Sequence, residues 1–145
     1  MLKNIILLST ILLATNAFAN VNWSYVGADA NASYYVSDIE SEVNNFNIKN
    51  VSLKKVLKTE FLVDKVTIQS NTFKPMESVL LRVGDSIINQ EKYNCIDIKY
   101  GTLSSTPYVE GRGLIIGLSS YYNPVNMLKI KKSSIQDKIY KLACK

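Results

Sequence analysis

Residues 91–106, EKYNCIDIKYGTLSST, decide the fold of this chain because they join an alternating apolar pattern to one of its two cysteines. Alternation of this kind predicts a single strand whose side chains point to opposite faces of a sheet. One face would carry Ile96, Ile98 and Tyr100, and the other would carry Tyr93, Cys95, Asp97 and Lys99. We expect another element to cover the Tyr93–Cys95 end of the second face and to leave its other end in water.

The amino-terminal stretch MLKNIILLSTILLATNAFA, residues 1–19, has the pattern of a secretory signal peptide. A charged start is followed by an apolar run over residues 5–14 and by Ala-Phe-Ala at residues 17–19. The apolar run is shorter than the roughly 20 residues that cross a bilayer, which disfavours a membrane anchor. We expect cleavage after Ala19, no lipid anchor because no cysteine lies near that site, and a single mature domain over residues 20–145.

Export leads to an oxidising compartment, where two cysteines form a structural disulfide more often than a metal site. The chain has two cysteines and no histidine, whereas a closed zinc site needs four ligands. We therefore predict a disulfide between Cys95 and Cys144. It would close a loop of about 50 residues, for which chain entropy gives roughly 4 kcal/mol of stabilisation.

The carboxyl-terminal stretch SSIQDKIYKLACK, residues 133–145, has the periodicity of a short amphipathic helix. Its apolar side carries Ile135, Ile139 and Leu142, and its other side carries Lys138, Lys141 and Lys145. Ser134 and Asp137 fit a capping box at the start of this helix. Because Cys144 lies off the apolar stripe, we expect the last turn to unwind in order to reach Cys95.

Earlier parts of the chain have the composition and alternation of strands. VNWSYVGA and ASYYVS, residues 21–28 and 32–37, would form a hairpin across a turn at residues 29–31. NVSLKKVLKTEF, residues 50–61, would form a further strand. The apolar phase slips just before it, so a turn or bulge at Lys49-Asn50 would be needed for Phe46 and Ile48 to face inward.

Further along, a loop at residues 70–77 would precede an apolar strand, SVLLRVG, at residues 78–84. Two strands within residues 100–122 would meet across the glycine turn at residues 110–113, and residues 123–132 would supply a last short strand. Strands first and a helix last predict an α+β fold that is mainly β. We expect an antiparallel sheet with one carboxyl-terminal helix packed on it and held by the disulfide.

The absence of histidine excludes Ser-His-Asp and Cys-His nucleophilic sites. A carboxylate pair could still hydrolyse a glycoside, and residues 37–42, SDIESE, offer Asp38, Glu40 and Glu42. Alternating acids form a solvated face far more often, and the glycines of residues 110–113 lack the spacing of a phosphate-binding loop. We expect a protein that is not an enzyme and that has no cofactor or metal, with a hydrolase at Asp38 or Glu40 as the weakest alternative.

Lysines are the candidate binding residues. The net charge of +5 favours acidic partners, whereas export disfavours a nucleic-acid partner. Two lysine groups could bind anionic glycans or acidic protein segments, although an ordinary solvated surface is the commoner role of such groups. The two groups are Lys54, Lys55 and Lys58, and Lys129, Lys131 and Lys132.

Four stretches carry a further signal: NWSYVGADANASYYVS, VSLKKVLK, YNCIDIKYGTLSSTPY and IYKLACK, at residues 22–37, 51–58, 93–108 and 139–145. Together they resemble the surface-adhesin E family of bacterial exported proteins. The resemblance implies an antiparallel sheet with a packed helix, a Cys95–Cys144 disulfide and an opening hairpin that contains Trp23 and Tyr35. It also implies binding of host extracellular-matrix or serum glycoproteins and, as in some members, a homodimer.

On this basis we expect an exported, non-enzymatic binding protein without a membrane span, located in the periplasm, outside the cell or at the cell surface. Its partner would be a host matrix or serum glycoprotein. The alternative is a secreted or periplasmic inhibitor of a lysozyme or protease. In that case STPYVEGRG, residues 105–113, would be the inhibitory loop.

Overall fold

The structure is a computed structural model that describes residues 21–64, 78–115 and 118–145. The described residues form ten strands and one helix. The elements are β1 (Ser24–Ala28), β2 (Ala32–Glu42), β3 (Asn45–Leu57), β4 (Phe61–Asp64), β5 (Ser78–Leu81), β6 (Ser86–Asn94), β7 (Lys99–Val109), β8 (Gly113–Leu114), β9 (Ser120–Tyr121), β10 (Leu128–Lys129) and α1 (Ile135–Ala143). The predicted signal peptide at residues 1–19 and the predicted loop at residues 70–77 lie outside the described residues.

The main sheet is antiparallel, with the strand order β1-β2-β3-β6-β7-β10. β8 and β9 also pair with β7, while β4 and β5 form a separate two-stranded sheet. The helix α1 comes after the last strand and packs on the side of the main sheet that carries Val36 and Leu53, which we call the helix face. The opposite side, which carries Tyr35 and Lys54, is the outer face. The predicted α+β, mainly β architecture is confirmed.

The hydrophobic core lies between α1 and the centre of the sheet. Its buried members are Val36, Val51, Leu53, Tyr93, Ile139 and Ala143. Leu53 pairs with Val36 in the register of β2 and β3, so their side chains point to the same face and meet the helix there. Tyr93 is fully buried beneath the helix, which confirms the expected cover over this part of residues 91–106.

The opening hairpin is formed by β1 and β2, as predicted. The Asp29 carboxylate fixes its turn by accepting hydrogen bonds from the backbone N–H groups of Asn31 and Ala32, at 2.8 and 2.9 Å. The Tyr34 hydroxyl donates to the same carboxylate at 2.6 Å. This hydroxyl, helped by the two backbone amides and by Lys58, holds the pKa of Asp29 below its ordinary value.

Residues 91–106 do not form one strand, so that prediction was wrong. β6 ends at Asn94, and the chain turns before β7 begins at Lys99. The Asn94 side-chain oxygen accepts hydrogen bonds from the N–H groups of Ile96 and Asp97, both at 3.0 Å, and thereby forms an Asx turn. Ile96 is 69% exposed as a result, instead of lining a strand face.

The expected break at Lys49-Asn50 is also absent. β3 pairs with β6 in unbroken register from Ile48 to Val56. The irregularity lies in the neighbouring strand, where the β2 register shifts between Ser37 and Glu40 and Asp38 adopts a φ of 49°. Phe46, expected to face inward, is 76% exposed.

The predicted glycine turn after β7 is confirmed. Gly111 and Gly113 both have a φ of 78°, a backbone conformation that glycine adopts without strain. The return of the chain is divided between two short described strands, β8 and β9, which contain two residues each and both pair with β7. The last short strand is confirmed as β10, in which Leu128 pairs with Tyr100 of β7.

The helix α1 is confirmed, including its first cap. The Ser134 side chain accepts a hydrogen bond from the Asp137 N–H at 3.1 Å. In a capping box the Asp137 carboxylate would accept in return from the Ser134 N–H. Here it accepts instead from the Ser133 N–H, at 3.0 Å. The inward positions also differ from the prediction, since Leu142 is 43% exposed whereas Ala143 is buried.

The Cys95–Cys144 disulfide is present, with a Cα–Cα distance of 5.5 Å. The last helical turn does not unwind to form it, because the Cys144 N–H still donates to the Tyr140 carbonyl at 2.8 Å. Instead, the turn at residues 95–98 brings Cys95 to the end of the helix. The Tyr140 hydroxyl donates to the Cys95 carbonyl at 2.9 Å and holds the same two elements together.

Candidate functional site

The two central lysines of β3 lie on opposite faces of the sheet. Lys54 and Lys55 are consecutive residues in one strand, so alternation directs their side chains apart. Lys54 lies on the outer face next to Tyr35 of β2. Lys55 lies on the helix face, where it lines a cavity. Each lysine therefore belongs to a different candidate site.

The first candidate site is an aromatic patch on the outer face, formed by Trp23, Tyr25, Tyr35 and Tyr108 around Lys54. The Lys54 ammonium lies 5.8 Å from the centroid of the Trp23 ring and 5.5 Å from that of the Tyr108 ring. Both distances are within the range of cation–π attraction. The charge therefore lies close to two rings that are far apart in the sequence.

Strand pairing explains how the patch is assembled. Tyr25 pairs with Tyr35 between β1 and β2, and Tyr35 pairs with Lys54 between β2 and β3. The two tyrosine rings meet edge to face, with 5.5 Å between their centroids. Tyr25 is 62% exposed, so this side of the patch presents an aromatic surface to solvent.

The second candidate site is a cavity of about 730 Å³ on the helix face, which we call the polar cavity after the polar side chains of its floor, although its lining also includes apolar residues such as Ile87 and Leu118. Its floor is formed by side chains of β3, β6 and β7, including Lys55, Asn89, Thr102 and Ser105. β4 contributes an apolar wall that includes Phe61. The chain around β9 and β10 supplies the rim, which includes Ser120, Tyr122 and Asn126.

Asn89 is a polar side chain of this cavity whose orientation is fixed by burial and by a hydrogen bond. It is 4% exposed, and its side-chain oxygen accepts a hydrogen bond from the Ser105 hydroxyl at 2.8 Å. The two residues are direct partners in the pairing of β6 and β7. An amide that is buried and already oriented needs little reorganisation to bind a polar ligand.

A buried carboxylate, Glu91, lies on the same face two residues after Asn89. It is 1% exposed, and its Oε2 accepts a hydrogen bond from the Tyr93 hydroxyl at 2.6 Å. Burial raises the pKa of Glu91, although Tyr93, Lys55 and Asn89 each favour the ionised form. Burial, with the nearby Glu91 charge, also raises the pKa of Tyr93, so this phenol remains a hydrogen-bond donor.

The remaining predicted lysines are spread over the molecule. Lys58 donates to the Asp29 carbonyl at 2.9 Å, beside the opening hairpin. Lys129 lies in β10, and β6 and β7 separate it from β3 in the sheet. Lys131 and Lys132 are exposed between β10 and α1. The six lysines therefore do not form one continuous surface.

The predicted carboxylates lie along β2. Asp38 and Glu40 are exposed, and the Asp38 carboxylate accepts a hydrogen bond from the Ser37 hydroxyl at 3.0 Å. Glu42 forms a salt bridge with Lys92 at 2.6 Å. These contacts are those of a solvated edge and do not bring the three acids to a cavity.

Sequence reasoning missed Asn89 and Glu91, although a signal was present. Both are polar residues at helix-face positions of β6, where alternation would place apolar side chains. A strand with polar residues on both faces indicates a polar site beside the core. The aromatic partners of Lys54 could not be recognised in this way, because their approach depends on how distant strands are paired.

Among the described residues, no helix is long and apolar enough to cross a membrane. The same part of the chain contains no group of three or more histidine, cysteine or acidic residues that could hold a metal ion. Comparison with protein-family models, with curated proteins and with solved structures finds no match. Function is therefore inferred from the chemistry of the two faces of the sheet.

Proposed function

We propose that this protein is an exported, non-enzymatic binding protein that engages an acidic segment of a host matrix or serum glycoprotein through the aromatic patch. The observation that carries the proposal is the position of the Lys54 ammonium between the rings of Trp23 and Tyr108. The resemblance to the surface-adhesin E family supports the same type of partner.

The composition of the patch suits a protein interface. Tyrosine, tryptophan and other aromatic residues are enriched where proteins bind one another, because they bury a large area with few rotatable bonds. Lys54 adds one positive charge whose position is already fixed by two rings. A carboxylate or sulfate group of a partner would meet this charge without the full entropic cost of ordering a free lysine.

The disulfide supports export in the same proposal. Cys95 and Cys144 are bonded, and such bonds persist in oxidising compartments. The site of action would be the cell surface, the surroundings of the cell or the periplasm. Protease treatment of intact cells, with lysed cells as the control, separates these locations: digestion on intact cells supports surface exposure, and protection until lysis places the protein inside the envelope.

A binding assay with matched variants tests the proposed surface. The mature protein would be measured against a panel of matrix and serum glycoproteins at low and high salt. Lys54→Met keeps an unbranched side chain of similar length but removes the charge, so binding should weaken about tenfold or more. Binding by the original protein should also weaken at high salt.

Lys55→Met is the control, because it removes the same charge from the next residue of the same strand but on the opposite face. It should leave glycoprotein binding unchanged. Unchanged binding by Lys54→Met, or an equal loss in the two variants, would contradict a role for the aromatic patch.

The turn between β7 and β8 favours inhibition as a second candidate function. Arg112 is exposed at this turn. The buried Asp85 carboxylate holds its base by accepting from the Glu110 N–H at 3.1 Å and from the Arg82 N–H at 2.8 Å. A short exposed turn fixed in this way would present Arg112 with little loss of conformational entropy on binding.

Inhibition assays against a lysozyme and a trypsin-like protease distinguish the two functions. The binding proposal predicts no inhibition by the original protein. Inhibition that is lost in Arg112→Ala but kept in Lys54→Met would instead establish the inhibitor function.

A further inference from the structure

The polar cavity is a separate candidate for ligand binding, since β3 directs Lys54 and Lys55 to opposite faces. Its volume of about 730 Å³ lies within the range of roughly 300–1,000 Å³ that is usual for small-molecule sites. The cavity combines four kinds of group: aliphatic side chains, aromatic rings, neutral hydrogen-bonding side chains and one ammonium.

The aromatic rings lie around the opening. Phe61 and Tyr122, which both line the cavity, are 52% and 47% exposed. Flat, exposed rings beside a polar cavity are suited to a ligand that has both an apolar face and polar edges. A pyranose is such a ligand, because its axial C–H groups form a flat patch and its hydroxyls lie around the rim.

The neutral polar groups match the hydroxyl rim. Asn89, Thr102 and Ser105 belong to the floor, and each can both donate and accept hydrogen bonds. A sugar hydroxyl also does both, so amide and hydroxyl groups are suitable partners for it. The bond between Ser105 and Asn89 orients the two side chains before a ligand arrives.

The charge of the cavity favours an anion. Lys55 supplies a positive charge, and none of the described lining residues is acidic. The Glu91 carboxylate, whose ionised form Lys55 favours, is only 1% exposed and lies outside the lining. A ligand in the cavity would therefore meet the ammonium and not the carboxylate.

We propose that the polar cavity binds a sugar acid, a pyranose that carries a carboxylate, and that Lys55 selects its charge. The aromatic rim would pack on the ring, the floor would bind its hydroxyls, and Lys55 would pair with its carboxylate. This inference does not depend on the proposed glycoprotein binding, because the two sites lie on opposite faces and use different lysines.

The test compares three probes on the mature protein: methyl glucuronide, the neutral methyl glucoside, and acetate. Binding would be measured by calorimetry and located by amide chemical-shift changes in NMR spectra. The glucuronide should bind at least tenfold more tightly than either of the others, with shifts at residues 102–105 and around Asn89. Equal binding of the glucoside would overturn the role of charge, and equal binding of acetate would overturn recognition of the sugar.

Two cavity variants, Lys55→Met and Thr102→Val, test whether the ligand binds in the polar cavity. Lys55→Met should weaken glucuronide binding about tenfold, whereas Lys54→Met should leave it unchanged. Thr102→Val, which is similar in shape but lacks the hydroxyl, should also weaken binding severalfold and provides a second measurement if Lys55→Met folds poorly. Absence of glucuronide binding, or loss in Lys54→Met alone, would overturn this inference while leaving the glycoprotein assay to decide the proposed function separately.

Discussion

Glu91 illustrates how a single buried side chain links the core to the polar cavity. Its carboxylate accepts from the Tyr93 hydroxyl on one side, and Lys55 and Asn89 are close enough on the other to favour its ionised form. Those interactions do not fully replace the water lost on burial, so the pKa of Glu91 stays above its ordinary value. The residue should therefore make stability depend on pH.

We predict that Glu91→Gln stabilises the protein at pH 7–8. Because the folded-state pKa is raised, protonation stabilises the folded state fully below the unfolded value of 4.5, and this contribution is lost as the pH rises through the folded-state pKa. Glutamine does not ionise, yet its side-chain oxygen can still accept from Tyr93. Thermal unfolding should show a melting temperature higher by a few degrees at pH 7–8, for about 1 kcal/mol, and no gain below pH 4.5.

Glu40→Gln is the control for this measurement, because Glu40 is an exposed carboxylate of β2. It should change stability little at either pH. A Glu91→Gln variant that is less stable than the original protein at pH 8 would show that the ionised carboxylate is favoured by its surroundings.

Gly101 in β7 is predicted to tolerate no side chain. A Cβ at this position would lie 2.5 Å from Val125 Cγ1, 2.8 Å from the Asn126 carbonyl oxygen and 2.8 Å from Met127 Sδ. Because one of these atoms belongs to the backbone, the chain itself must shift. Gly101→Ala should lower the free energy of unfolding by about 1–3 kcal/mol, measured by urea denaturation. Thr102→Ser is the matched control, and an equal loss in it would contradict the steric explanation.

At the level of single residues, the sequence supplied candidate binding residues but not their neighbours in the folded chain. The six lysines were identified as candidates, and alternation alone separates Lys54 from Lys55. The pairing of Lys54 with Trp23 and Tyr108 was not predictable, because it requires the register of several strands.

Among the secondary-structure elements, α1 depends on a local cap. Ser134→Ala should remove the hydrogen bond from the Asp137 N–H and destabilise the protein by about 1 kcal/mol. Urea denaturation checks the value, and hydrogen exchange should show faster opening of the first helical turn. Ser134→Asp keeps an oxygen that can accept this bond and should remain close to the original protein. A loss in Ser134→Asp as large as in Ser134→Ala would contradict the capping role.

The elements that the sequence predicted well are those specified by nearby residues. The opening hairpin has its Asp29 turn, and the helix has its Ser134 cap and apolar stripe. The errors arose where a side chain or a neighbouring strand overrides the pattern. Asn94 ends β6 with an Asx turn, and the irregularity predicted in β3 is located at Asp38 of β2.

At the scale of the whole molecule, the disulfide connects the helix to the turn between β6 and β7. We predict that Cys144→Ser loosens α1 before it affects the main sheet. Without the disulfide, the hydrogen bond from the Tyr140 hydroxyl to the Cys95 carbonyl is what still ties the end of the helix to the turn. The loss of stability should be at most about 4 kcal/mol, since the bond closes a loop with a sequence separation of 49.

Hydrogen exchange resolved by residue provides the measurement for this variant. Amides of residues 135–144 should exchange much faster, while those of β3 and β6 keep most of their protection. The double variant Cys95→Ser, Cys144→Ser controls for an unpaired thiol and should behave in the same way. Uniform loss of protection across helix and sheet would show that the two unfold as one unit.

The overall architecture was predictable because it follows from the order of strands and helix and from the two cysteines. The polar cavity was not, since its wall comes from β4, its floor from β3, β6 and β7, and its rim from the chain around β9 and β10. Such a site depends on how distant segments pack, and no short stretch of the sequence contains its pattern.

The alternation of Lys54 and Lys55 also constrains how this protein can change during evolution. Substitutions on one face can accumulate under selection without altering the chemistry of the other, because neighbouring side chains share a backbone but not a surface. An insertion or deletion of one residue within β3 would exchange the two faces and carry Val51 and Leu53 out of the core. We therefore expect homologous proteins to preserve the length of β3, and the residues at positions 54 and 55 to change independently of each other.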